Sequence, residues 1–150
     1  MVKKVFLILG IVLLLIQFFR PVKNISRGEN PNSIDKKYPV PAEVSQVLSK
    51  ACYDCHSNTT RYPWYAEIQP SAWILANHIK DGKSELNFDE FSQYTSKKQH
   101  HKMEEVKEMM EKSEMPLASY ELLHKTARLT EQEKQILIGW AAGLMKEIKP

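Results

Sequence analysis

The chain has 150 residues, 21 basic and 18 acidic, a formal charge of +3, and only two cysteines. Lys3, Lys4 and Arg20 stand among the first twenty residues with no acid beside them and account for the whole excess. The remainder is near neutral, which excludes a basic nucleic-acid surface, and its length allows one small domain.

Taken in chain order, a basic start at Lys3 and Lys4 leads into an apolar run over residues 5–19, broken only by Gln17. This pattern is that of an export signal. Phe18, Phe19, Arg20 and Pro21 lack the small residues of a cleavage site, so residues 1–22 are expected to stay as a single-pass membrane anchor. The run is short for a span, but Lys4 and Arg20 can snorkel at its ends. Residues 23–38, rich in Asn, Pro, Ser and charge, read as a tether, and residues 39–150 as the folded domain.

Within that domain strand signals are weak and helix signals recur. Val44, Val47, Leu48 and Ala51 repeat at helical spacing after Pro41. Pro70 and Ser71 can start a helix that stops at Gly82, and "LNFDEF" is a short turn. Thr95 or Ser96 can cap a helix towards Lys112 with Met103, Val106 and Met110 inward. The charged run "SKKQHHKMEEVKEMMEK" is otherwise expected to be a solvated face. Thr130 and Glu133 form a T-x-x-E capping box before a helix that turns Ile136, Leu137, Trp140, Ala141 and Leu144 to one side. The fold class is therefore all-α.

The chemistry concentrates in "ACYDCH". On one helix Cys52, Cys55 and His56 would share a face against which a flat ligand could lie. A thioredoxin-like dithiol needs a strand before the motif, and a helix precedes it instead. A structural zinc site needs four ligands, and His78, His100, His101 and His124 supply no suitably spaced second pair. C-x-x-C-H is the attachment signature of c-type haem. Both thiols add to haem vinyl groups as thioethers, and His56 becomes the proximal iron ligand. One covalent haem c, attached outside the cytoplasm, puts the domain on the periplasmic side. Bound porphyrin would add apolar surface to a small core, so the apo-protein is expected to fold poorly.

For the distal iron position the candidate is Met115, which stands in "KSEMPLASY" before Pro116, where helix is disfavoured. His78 is its main rival, His124 reads more simply as a helix cap, and His100 and His101 as exposed. Among the aromatics near the motif, Trp64 and Trp73 are the candidates for the haem pocket.

These residues carry a resemblance. "CYDCH", then "MP", then "LTEQEKQILIGWA" look like a class I cytochrome c reduced to its marks. More closely, "ACYDCHSNTTRYPWY", "LNF", "EMPLASY" and "ARLTEQEKQILIGW" resemble the bacterial haem-binding domain family of membrane-anchored or exported monohaem proteins. The resemblance implies a cytochrome c-like helical domain wrapped around one haem. The function expected is one-electron transfer, without enzymatic turnover, between haem iron and an unidentified redox partner protein. The alternative is a gas or redox sensor, or a peroxidase-like protein, with an open or displaceable sixth position.

Overall fold

The structure, a computed structural model, describes residues 1–149. In chain order its helices are α1 (Val2–Ile16), α2 (Ile34–Lys37), α3 (Ala42–Ala51), α4 (Tyr53–His56), α5 (Ser71–Glu85), α6 (Ser96–Lys112), α7 (Ala118–Leu123) and α8 (Glu131–Glu147). Short 3-10 turns lie at Trp64–Glu67, Phe88–Gln93 and Lys125–Ala127. The only pairing of strand type among the described residues is one isolated bridge, Ile25 to Thr59.

Local rules set the helix starts. The Thr130 hydroxyl accepts from the Glu133 N–H, and the Glu133 carboxylate accepts from the Thr130 N–H, which satisfies two otherwise orphaned donors. Thr95 caps α6 through the Lys98 N–H. At the other end of α6, Ser113 adopts a left-handed φ of 55° and the Glu114 N–H reaches back to the Met109 carbonyl. This Schellman-type closure turns the chain back towards the core.

The packing divides into two apolar clusters. The larger lies between α3, α6, α8 and the Phe88–Gln93 turn, with Leu48, Phe91, Met103, Leu137 and Ala141 at its centre. The smaller joins Ala66, Leu75 and Ile79, with Cys55, Tyr62 and Tyr65 against it. The short helix α4 runs between the two, against α3 on one side and α5 on the other.

Three expectations change in the folded chain. The segment read as a tether packs onto the domain: Ile34 is fully buried, and Asn24 to Ser26 bond to the loop at Ser57 to Thr60. The charged run of α6 is not solvated throughout. Gln99 and Lys102 share the inward stripe of Met103 and Met110, and Gln99 is satisfied by the carbonyls of Phe91 and Tyr94 and the Tyr38 hydroxyl, as a buried amide must be.

The third change concerns the N-terminus. Helix α1 has 15 residues, a length of about 22 Å against the roughly 30 Å of a hydrocarbon core. No helix among the described residues is long and apolar enough to cross a membrane. None of the α1 side chains is buried against the domain.

Candidate functional site

Helix α3 ends at Ala51, and Cys52 at the joint (φ −121°, ψ −46°) separates it from α4. The two cysteines therefore do not share one uninterrupted helical face. Cys52 packs against the larger cluster and Cys55 against the smaller, so the motif presents a thiol to each side of His56. Desolvation raises the Cys52 thiol to about 12 and the Cys55 thiol to about 11, and both are protonated at neutral pH.

Two cavities meet at this turn. One, about 330 Å³, is walled by Leu48, Cys52, Phe88, Val106 and Leu137. The other, about 210 Å³, is walled by Cys55, Leu75, His78, Pro116 and Tyr120. His56, Glu85 and Met115 line both. Taken together the two spaces reach the range of a cofactor site, roughly 300–1,000 Å³, with mostly apolar walls and a few polar groups.

The His56 ring is held in a defined state. Its Nδ1 lies 2.9 Å from the Leu86 carbonyl, which only accepts, so Nδ1–H donates and the lone pair resides on Nε2. Burial, the largest influence, lowers the His56 pKa, and the ring is neutral. A neutral imidazole with its tautomer set by a backbone carbonyl is the usual arrangement of a metal-binding histidine.

Gly82 makes this arrangement possible. A Cβ there would lie 2.8 Å from the Cys55 carbonyl oxygen and 3.1 Å from its Cβ. Helix α5 does not stop at Gly82 as the sequence suggests but runs on to Glu85. The glycine serves close approach of α5 to α4. Gly82→Ala gains about 1 kcal/mol of helix propensity, but the clash is with backbone and overpacking costs about 1–3 kcal/mol, so the expected result is net destabilisation. Gly143→Ala on α8 meets no atom within 4 Å and should stabilise by up to about 1 kcal/mol. Denaturant midpoints of the two variants, moving in opposite directions, check this.

A polar network fastens the far side. The Asp54 carboxylate accepts from the Tyr120 hydroxyl at 2.7 Å and from the Arg61 N–H and Nε–H at 3.1 and 3.0 Å, and Arg61 also donates to the Ser49 carbonyl. The Tyr120 bond ties α7, and with it the Met115 loop, to the Cys-x-x-Cys-His turn. Desolvation and the Asp54 carboxylate raise the Tyr120 pKa. Glu85 and Lys102 complete the rim of the larger cavity, with Lys102 bonded to Glu105 at 2.6 Å and Glu85 at 3.3 Å. Sequence reasoning missed Asp54, Gly82, Glu85, Lys102 and Tyr120. Asp54, inside the motif, and Gly82, read as a helix stop, carried some signal.

The remaining expected site residues are distributed unevenly. Met115 lies in the α6–α7 loop and lines the same two cavities as His56, and His78 reaches only the smaller of the two. His124 caps α7 and stacks on Tyr120 at 4.1 Å, and neither cavity is lined by it. His101 pairs with Glu104 and Glu105 on the surface of α6. Trp64 is 76% exposed and Trp73 donates to the Phe19 carbonyl. Neither tryptophan is brought to the cavities, where the aromatic walls are Phe88 and Tyr120. Among the described residues no group of three or more His, Cys, Asp or Glu side chains is placed to hold a metal ion.

In comparison with known proteins, the profile of a family described as a haem-binding domain matches residues 11–143. No curated protein and no solved structure matches the chain.

Proposed function

The chain belongs to the haem-binding domain family, and from that premise we propose that it holds one covalent haem c at the Cys52–His56 turn and carries single electrons. The observation that carries the reading is that His56 and Met115 line both cavities. The donor set suits the group. Cys52 and Cys55 would form the thioethers, the His56 Nε2 lone pair the proximal bond and the Met115 thioether the distal bond. When bound, haem supplies an iron that cycles between ferric and ferrous states, and methionine ligation raises its potential.

The protein's part is orientation and exclusion. The Leu86 carbonyl fixes the His56 ring. Leu48, Phe88, Val106 and Leu137 give the larger cavity apolar walls against which a porphyrin would pack. The Asp54–Tyr120 bond fastens α7, which follows the Met115 loop, to the Cys-x-x-Cys-His turn. With both axial positions filled by side chains, nothing needs to bind for an electron to pass.

A second reading rests on His78. It lines the smaller cavity. If Met115 leaves the distal position, His78 becomes the acid–base group of an open site, and the protein a sensor or peroxidase-like catalyst. Absorption spectra of the purified ferric and ferrous protein test the choice. A low-spin ferric form and a ferrous form slow to take up carbon monoxide are expected of the carrier. A high-spin form that binds carbon monoxide at once would overturn it.

The place of action is part of the proposal. Haem attachment outside the cytoplasm and the apolar segment 5–19 support a protein held at the cytoplasmic membrane with its domain on the periplasmic side.

A further inference from the structure

Helix α1 is apolar all round beyond Lys3 and Lys4, with Phe6, Leu7 and Leu14 each more than 60% exposed. A helix of this composition needs an apolar environment on every side. Its end is not free to swing. The Gln17 side-chain amide donates to the Gln69 carbonyl at 3.3 Å and accepts from the Gln69 N–H at 2.9 Å. The Gln69 amide and the Trp73 indole both donate to the Phe19 carbonyl, at 2.8 and 2.9 Å, and Arg20 and Lys23 both pair with Glu67. These bonds set the orientation of the domain relative to α1.

Beside the ion pairs of this clamp the domain also exposes apolar side chains. Ile68 lines the hollow beside α1 and also a groove of about 450 Å³ with Trp64, Ile74 and Leu123. Trp64, Ile74 and Leu123 are 76%, 54% and 62% exposed, and Phe18 and Phe19 at the clamp are 83% and 68% exposed. Exposed apolar side chains therefore run from α1 past the clamp to the end of α7, joined at Ile68, with the Arg20, Lys23 and Glu67 charges beside them. A contiguous patch of this kind marks an interaction site.

We infer that this surface, centred on Trp64, Ile68, Ile74 and Leu123, rests on a lipid bilayer, with α1 inserted and the domain lowered onto the headgroups. The inference rests on the membrane placement proposed above. Two features select lipid over a protein partner. The first is continuity, because a cover for α1 must surround it, and the same cover then meets the domain at Gln17. The second is length. Helix α1 falls about 8 Å short of the hydrocarbon core, and a short apolar segment draws its flanking surface towards the hydrocarbon edge. The surface at that flank is apolar and carries the Trp64 and Trp73 indoles, the side chains favoured at membrane interfaces. Leu75, His78 and Tyr120 line both the groove and the smaller His56 cavity, so docking brings that cavity within one layer of side chains of the lipid.

The test uses the full haem-loaded chain in phosphatidylcholine nanodiscs containing a lipid with a photoactivatable diazirine in its upper acyl chain. Mass spectrometry locates the labelled peptides. Label is expected on α1, on the segment from Trp64 to Ile74 and on α7, with none on the outer face of α6. The triple variant Trp64→Glu, Ile74→Glu, Leu123→Glu, its fold verified by an unchanged haem spectrum, should lose label from α7 and the 64–74 segment down to the level of α6 while α1 stays labelled. Label confined to α1 in the wild type would overturn the docking and leave the anchor standing. Label absent from α1 as well would overturn the membrane placement itself. Protection of Trp64 without lipid label, rising with protein density in the disc, would assign the face to a second copy of the chain and overturn the inference.

Discussion

A chain carrying Cys52→Ala and Cys55→Ala together should lose all haem on denaturing electrophoresis, whereas wild type made beside an export-side haem-attachment system should keep it. The argument is structural as well as chemical. The two thiols face opposite clusters on either side of His56, so each can hold a different edge of one flat group, and no other cysteine exists to substitute. Each single variant should keep one thioether and a peroxidase-positive band. Removing one sulfur should cost the fold on the order of 1 kcal/mol, and circular dichroism of each single variant, which keeps its haem through the other cysteine, verifies that the substitution itself leaves the fold intact. Wild-type protein without a haem band, or a double variant stained as strongly as wild type, would refute covalent attachment at these residues.

Met115→Ala should convert a closed iron site into an open one. Methionine ligation produces a low-spin ferric spectrum with a weak sulfur-to-iron charge-transfer band in the near infrared. The variant should lose that band, bind carbon monoxide readily in the ferrous state and show a lower reduction potential. Axial ligation moves haem potentials over roughly 0.8 V, so the shift should be plain in a redox titration. Haem should remain attached through Cys52 and Cys55. His78→Ala should leave all three properties near those of wild type, because His78 reaches only the smaller cavity whereas Met115 reaches both. The reverse pattern, an open site in the His78 variant and none in the Met115 variant, would make the iron bis-histidine ligated.

The sequence by itself determined what neighbours along the chain can decide. The Thr130–Glu133 capping box, the start of α6 at Thr95, the helix before Cys52 and the loop at Met115 all formed where short-range rules place them, since caps and helical stripes involve residues three or four apart. The C-x-x-C-H spacing and the all-helical class were legible for the same reason. What lies around His56 was not, because it is built from residues far apart in sequence. The Asp54–Tyr120 bond joins positions 66 apart, and the Leu86 carbonyl that orients His56 is 30 residues away. Gly82 read as a helix stop because its composition signals an end, while the folded chain uses its missing Cβ to bring α5 against Cys55. Trp64 stood close to the motif in sequence, yet the turn after Pro63 carries it to the surface. Gln99 and Lys102 looked solvated by type, and only the carbonyls and carboxylates presented by other elements make their burial affordable. Short-range geometry can place the motif on a helix; only packing between the two apolar clusters decides which side chains surround it.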